Sequence, residues 1–401
     1  MNLSNKQRTV TILVVAEIFA MGLWFVSAAI LNDLQSTGLV GPALGAWLSS
    51  AVPAGFVVGA LFVAITGIAD RLDPRHVFMA SAILGALFNV CVLAFPPGSY
   101  LAVVFRFLTG FTLAGVYPVG MKIMVGWGTT DRGWLVGLLV GGLTFGSSAP
   151  HLLAWLGGAQ WQHTVIAASF FSALGGFLVL ATQLGPNHAR ASGFNPKAIT
   201  DAWTNIRIRR AFGGYFGHMW ELYAMWSWLG VASAVSYRFH LSESDATQLA
   251  KLTAFVAIGA GAFMCPLAGK VADVIGKAKL TIVVLCISGS AALLSAWVFA
   301  GPIWIVFFVF VLWGMSVIPD SAQFSALVAD LAPPERAGSI LTLQTALGFL
   351  LTIATVQLTP LVAQLITWPG VFIVLALGPL FGIVCMWPLM GKADKVDASR
   401  A

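Results

Sequence analysis

Two glutamates, Glu17 and Glu221, stand in matching strings, Glu-Ile-Phe-Ala-Met-Gly-Leu-Trp at 17–24 and Glu-Leu-Tyr-Ala-Met-Trp-Ser-Trp at 221–228, displaced by 204 residues in a chain of 401. Each string lies in an apolar stretch long enough to cross a bilayer, where a carboxyl group is costly and functional by default. Two readings stand: exchange of a proton or contact with a polar solute, or a buried hydrogen bond tying neighbouring spans together, which duplication would hand to both copies. On a helix the Glu, Ala, Met and Trp of each string fall at i, i+3, i+4 and i+7, one stripe per copy. His218 precedes Glu221 by three residues on the same face, so the two form either a proton-relaying pair or a histidine satisfied by its helix. Asp320, with Gln323 one turn on, is a third acid in an apolar segment; it either compensates Arg106 or Lys122 or binds a cation. A guanidinium stays charged, so Arg106 is read as a ligand for an anionic solute, an electrostatic partner of a carboxylate, a fixed structural ion pair or a snorkelling side chain. Lys122 is expected to snorkel. Trp24, Tyr117, Trp220, Tyr223, Trp228, Gln323 and Gln344 are candidate cavity-wall groups, with packing as the competing reading for the aromatics.

These groups need spans to hold them, and the composition supplies spans. With 59% hydrophobic and 9% charged residues, the chain cannot hide its apolar surface in one soluble core. Apolar stretches recur at 9–31, 44–66, 77–95, 100–124, 135–155, 163–183, 211–237, 248–268, 280–299, 303–329, 339–365 and 370–390, which gives twelve spans, six per half. The division expected is 1–183, a polar linker at 184–210 with an amphipathic helix over 198–208, and 211–401. Seventeen of the 21 lysines and arginines, from Lys6 and Arg71 through Arg190, Arg210 and Lys270 to Lys392, Lys395 and Arg400, fall on one side if the N-terminus is cytoplasmic. Only Arg238 and Lys251 fall on the other side, so both termini are placed in the cytoplasm and the net charge of +6 reads as topology, with no nucleic-acid partner. A cleavable leader is disfavoured, because cleavage near Ser27-Ala28-Ala29 would delete the partner of a span in the other half. The four cysteines show no paired or metal-ligand spacing.

A second repeat follows the second span of each half: Thr66-Gly67-Ile68-Ala69-Asp70-Arg71-Leu72-Asp73-Pro74-Arg75 and Gly269-Lys270-Val271-Ala272-Asp273-Val274-Ile275-Gly276-Lys277-Ala278. These strings resemble the cytoplasmic loop signature of the major facilitator superfamily, Gly-x-Leu-Ala-Asp-Arg-x-Gly-Arg-Lys, found after spans two and eight. Thr66, Asp73-Pro74 and Val274 depart from it. Arg106 to Pro118 resembles the superfamily's Arg-x-x-x-Gly pattern of span four, with Gly314 and Pro319 as counterparts in span ten and Phe310 in place of the arginine. The resemblance covers the whole chain and implies an all-α fold of twelve membrane helices in two pseudo-symmetric halves. It turns spans one, four, seven and ten toward a shared cavity. It also implies a cytoplasmic gate formed by Asp70, Arg71, Asp273 and Lys277, with Asp70 near Gly338 and Asp273 near Gly133, where a carboxylate suits a helix N-terminus. The Gly-Pro pair of span five in proton-coupled antiporters is missing, although Gly137, Gly141, Gly142, Gly146 and Pro150 keep that span small-sided.

The function expected is secondary transport of a small polar or anionic organic solute by alternating access, as proton-coupled uptake. An efflux antiporter and a soft-metal importer using Met21, Met121, Met124, His218, Met219 and Met225 are the alternatives. The sequence has no Gly-x-x-x-x-Gly-Lys-Ser/Thr loop for ATP, no His-Glu-x-x-His, no Gly-x-Ser-x-Gly and no loop large enough for a catalytic or signalling domain, so an enzyme or sensor is the least favoured class. No cofactor and no resident metal are expected. A monomer in a bacterial inner membrane, working with its solute, protons and the lipid bilayer, is the setting implied.

Overall fold

Glycine, proline and uninterrupted apolar runs set the helix ends. A computed structural model describes residues 4–36, 38–129, 131–158, 160–188, 196–333 and 335–390, and the elements among them are helices. Arg190, the linker residues 189–195 and the C-terminal basic residues from Lys392 onward lie outside the described residues. Span one is two helices, Asn5–Met21 and Val26–Ser36, opened by a capping box between Ser4 and Gln7. Spans two and three are Pro42–Thr66 and Pro74–Cys91, span four is Tyr100–Leu113 with Tyr117–Val125, and spans five and six are Arg132–Leu156 and Trp161–Leu178. The second half repeats the order. Span seven is Ile206–Tyr237, eight is Glu243–Ile275, nine is Lys277–Val298, and ten is Ile303–Val317 with Ser321–Leu331. Spans eleven and twelve lie in Ala337–Met386, divided where Ile366 and Thr367 leave helical geometry. Ten of these helical stretches are long and apolar enough to cross a membrane, one of them holding spans eleven and twelve together; Ile206–Tyr237, made more polar by groups such as His218 and Glu221, completes twelve.

The halves share their breaks where their sequences agree. Spans four and ten both interrupt at positions 204 residues apart, 114–116 and 318–320. In span four Pro118 lacks an N–H and crowds the carbonyl of Ala114; in span ten Pro319 does the same to Met315. Gly110 lets span four reach the carbonyl of Val52 in span two, and Gly314, its repeat partner, lets span ten reach the carbonyl of Ala257 in span eight; a Cβ at either place would overlap that backbone. Span one breaks at 22–25 while span seven runs through, because Gly22 corresponds to Trp226. Trp24 therefore sits in a turn and leaves the helical stripe expected for it.

The halves meet along spans five and eight, where Gly141 rides on the carbonyl of Ala262, and along spans two and eleven, where the rings of Phe56 and Phe349 lie 4.7 Å apart. The described chain starts and ends on one face of the bundle, called here the terminal face; the opposite face is distal. The amphipathic segment is shorter than expected: a helix spans Lys197–Thr204, and Asn205 then caps span seven by accepting from the N–H groups of Arg207 and Ile208. Arg207, Arg209 and Arg210 thus belong to the first turns of span seven.

On the terminal face Asp73 caps span three, and its hydrogen bond to Arg75 holds its carboxyl down at about 2. A lowered value means that this contact stabilises the fold above the unfolded value near ~4 and is lost as pH falls through about 2. Asp73→Asn is expected to lower the thermal midpoint at neutral pH and to converge with the unsubstituted protein near that lower limit. Thermal unfolding in detergent at a series of pH values checks it; a pH-independent difference would count against the ion pair.

Candidate functional site

Between the halves an aromatic layer closes the centre. Trp24, Phe25 and Phe56 come from the first half, and Tyr223, Trp226 and Phe349 from the second. Trp24 lies 5.0 Å from Phe56, 5.7 Å from Tyr223 and 5.4 Å from Phe349 between ring centroids, and Phe25 meets Trp226 edge-on at 5.5 Å. Such pairs contribute about 0.5–1.5 kcal/mol each beyond the area they bury, so the layer is a specific contact between halves. Trp24 and Tyr223 are thus at the centre, packed between the halves. Trp220 and Trp228 are not: their indole N–H groups donate to the carbonyls of Val374 and Val356, each at 3.0 Å, so they anchor span seven to spans twelve and eleven.

On the terminal side of this layer the titratable groups sort differently from the sequence reading. His218 Nδ1 lies 3.0 Å from Asp320 Oδ1, with both side chains 1% exposed. The pair is His218 with Asp320, not His218 with Glu221. Its geometry follows from the break in span ten, which puts Asp320 at the end of a turn facing span seven, inside a wall of Tyr215 and Phe324 rings about the imidazole. Glu221 instead accepts from the indole N–H of Trp313 at 2.7 Å and from the Ser288 hydroxyl at 3.0 Å, which ties spans seven, nine and ten together. Glu17 is fully buried against the bare backbone of Gly120 in span four and the Phe78 ring in span three, and neither carboxylate oxygen has a hydrogen-bond partner. Tyr117 lies within Coulombic range of Glu17 and of Tyr215 across the interface. Gln344 is fully buried with both amide atoms unpartnered, one turn from Gly348, which packs on Tyr215. Gln323, also buried, approaches Gly269 of span eight.

Arg106, for which the sequence leaves open a ligand, a carboxylate's partner, an ion pair and a snorkelling side chain, is placed against backbone. It is 2% exposed and donates to the carbonyls of Leu23 and Trp24, both at 2.8 Å, and to Asn89 Oδ1. Those carbonyls belong to the turn where span one breaks and have no helical N–H four residues on. The guanidinium closes the break, and its charge has no carboxylate partner among the described residues.

Sequence reasoning missed an ion pair between the halves. Lys251, expected outside the membrane, is 1% exposed in span eight; its ammonium lies 2.9 Å from Asp33 at the distal end of span one and donates to the carbonyl of Gly158 at 2.8 Å. Asn32 donates to the carbonyl of Gly230 and Gln357 to the Ser50 hydroxyl, so with the two from Lys251 four polar contacts join the halves on the distal side. The one signal for Lys251 was its place inside a predicted span, 248–268.

On the terminal face Asp70 pairs with Lys122, which also donates to the carbonyl of Ala69; Lys122 is an ion-pair partner, not a snorkelling side chain. The Asp273 carboxylate faces Gly133 at the start of span five, and Lys270 of span eight lies 4.4 Å over the Trp134 ring. Lys277 reaches Asp330 at 2.7 Å inside its own half, so that contact does not cross the interface; Arg71 is exposed.

The family model described as Major Facilitator Superfamily matches residues 12–356. Comparison with curated protein sequences finds no match. Solved structures share the fold over nearly the full length. A D-xylose-proton symporter aligns at a TM-score of 0.74 and 12% identity, covering 97% of this chain and 98% of its own. A bacterial homologue of the human lysosomal transporter Spinster aligns at 0.72 and 12%, covering 98% of each. The nucleoside transporter NupG aligns at 0.66 and 16%, covering 97% of this chain and 100% of its own.

Proposed function

We propose, for a chain that belongs to the major facilitator superfamily and is a transporter rather than an enzyme, that it takes up a small, uncharged polar solute with protons. Its halves rock about the aromatic layer, and His218 with Asp320 carries the proton. The observation that supports the coupling pair most is its geometry: a histidine and an aspartate 3.0 Å apart, both buried, between span seven and the break of span ten. Protonation of either partner changes the attraction between spans seven and ten, which gives a proton a lever on helix position. The likeness to a structure described as a proton symporter is in keeping with this reading. The anionic alternative loses its ligand, since Arg106 is spent on backbone carbonyls and Lys251 on Asp33. Glu221, held by two donors, is assigned to packing, and Glu17, with none, is kept as a second proton site. The same reading divides the halves at 184–210 and places a monomer in a bacterial inner membrane with both termini cytoplasmic.

His218→Gln and Asp320→Asn keep size and polarity and remove the titration. In proteoliposomes, with a solute found by a counterflow screen, each is expected to abolish accumulation driven by an imposed proton gradient and to retain counterflow exchange. Gradient-driven accumulation at the unsubstituted rate in both variants would falsify the assignment.

A further inference from the structure

We infer that, on the distal side of the aromatic layer, Ser147 and His151 of span five and Trp226 and Ser233 of span seven form a hydrogen-bonding subsite for an uncharged, hydroxyl-bearing solute. The four side chains are 0–1% exposed, and Ser147 Oγ, His151 Nε2, Trp226 Nε1 and Ser233 Oγ have no hydrogen-bond partner. Buried polar groups in folded proteins are nearly always paired, so four orphans on spans five and seven, which meet where the His151 ring lies against Gly230, point to something they meet during function.

Helical phase and one contact between the spans bring them together. Ser147 and His151 are i and i+4 on the face of span five turned between its neighbours, span one at Gly146 and span eight at Gly141. Trp226, Gly230 and Ser233 are i, i+4 and i+7 on span seven. The Cε1 edge of the His151 ring faces the bare Cα of Gly230, whose carbonyl is held by Asn32. The floor is the layer itself, through Trp226 against Phe25. The roof is the Lys251 and Asp33 pair, with Lys251 in Coulombic range of His151.

The donor set selects the ligand. Two hydroxyls both donate and accept, the indole only donates, and an imidazole nitrogen does one or the other. The two nearby charges neutralise each other at 2.9 Å, leaving no net charge to attract an ion. Hydroxyl groups, which also donate and accept, satisfy such a set; a carboxylate or an ammonium satisfies half of it. In the transport cycle this makes the subsite the first contact for solute arriving from the distal side, an assignment that rests on the transporter reading above.

The test uses the full-length protein in detergent, with D-glucose, D-glucitol and glycerol as uncharged probes and D-glucuronate and D-glucosamine as charged ones, read by thermal stabilisation. At least one uncharged probe is expected to stabilise saturably. The double substitution Ser147→Ala with Ser233→Ala is expected to weaken that binding about tenfold. Its unliganded midpoint should stay level or rise, because orphaned polar groups leave the interior; a structural role would lower it. Stabilisation by charged probes alone, by none of the uncharged ones, or undiminished in the double variant overturns the proposal, the last outcome meaning that these groups hold water only. Counterflow in proteoliposomes separates the two readings. A probe that binds through Ser147 and Ser233 without crossing the membrane contradicts transport and leaves the subsite standing; transport of a charged solute insensitive to the double variant does the reverse.

Discussion

Arg106→Ala is expected to destabilise the protein by about 3–5 kcal/mol and to abolish transport with it. The side chain, 2% exposed, gives three hydrogen bonds: to Leu23, to Trp24 and to Asn89. Removing it leaves two carbonyls of a broken helix and one amide oxygen without their donors. A hydrogen bond to a charged group is worth about 1.5–3 kcal/mol, so the three together set the scale even with partial relaxation. The turn at 22–25 carries Trp24 and Phe25 into the aromatic layer, so the loss travels from span four through span one to the contact between halves. Arg106→Lys keeps the charge but not the fork geometry and is expected to fall between. Thermal unfolding in detergent, paired with counterflow, decides the matter. A ligand role predicts the opposite pattern: an unchanged midpoint with a raised KM for an anionic solute.

What the sequence made legible and what it hid follow from range. The twelve spans, the two halves and the shared small residues Gly110 and Gly314 are readable because they depend on local composition and an internal repeat. The repeat misled at Trp24, since one substitution, Gly22 against Trp226, lets a helix break in one copy and continue in the other. Helical phase placed His218 beside Glu221, but a shared face does not make a pair: Asp320 lies on another helix, and Glu221 is claimed by Trp313 and Ser288, 92 and 67 residues away. Arg106 was recognised as needing a partner; that the partner is backbone could not be read, because side-chain patterns carry no record of orphaned carbonyls. Lys251 was misplaced because sidedness was counted from charge alone, and its acid sits in the other half.

That misplaced lysine carries the second large effect. Lys251→Met is expected to destabilise the closed distal side by about 3–5 kcal/mol, because it leaves Asp33 buried without a counter-ion. Asp33→Leu alone does the same to Lys251, which retains only the carbonyl of Gly158. The two together are expected to recover most of the loss, since well-packed apolar groups often replace a buried pair at no net cost. The partners sit in different halves, so the free energy lost in a single variant falls on the equilibrium between distal-closed and distal-open forms; about 3 kcal/mol shifts it more than a hundredfold. A cysteine introduced at Ser233, in a background without the four native cysteines, reports that shift through its reaction with a membrane-impermeant thiol reagent added from the distal side. Faster labelling is expected in each single variant and near-original labelling in the double. Single and double effects that simply add would mean that Asp33 and Lys251 act independently, and the pair would then be two neighbours rather than a latch.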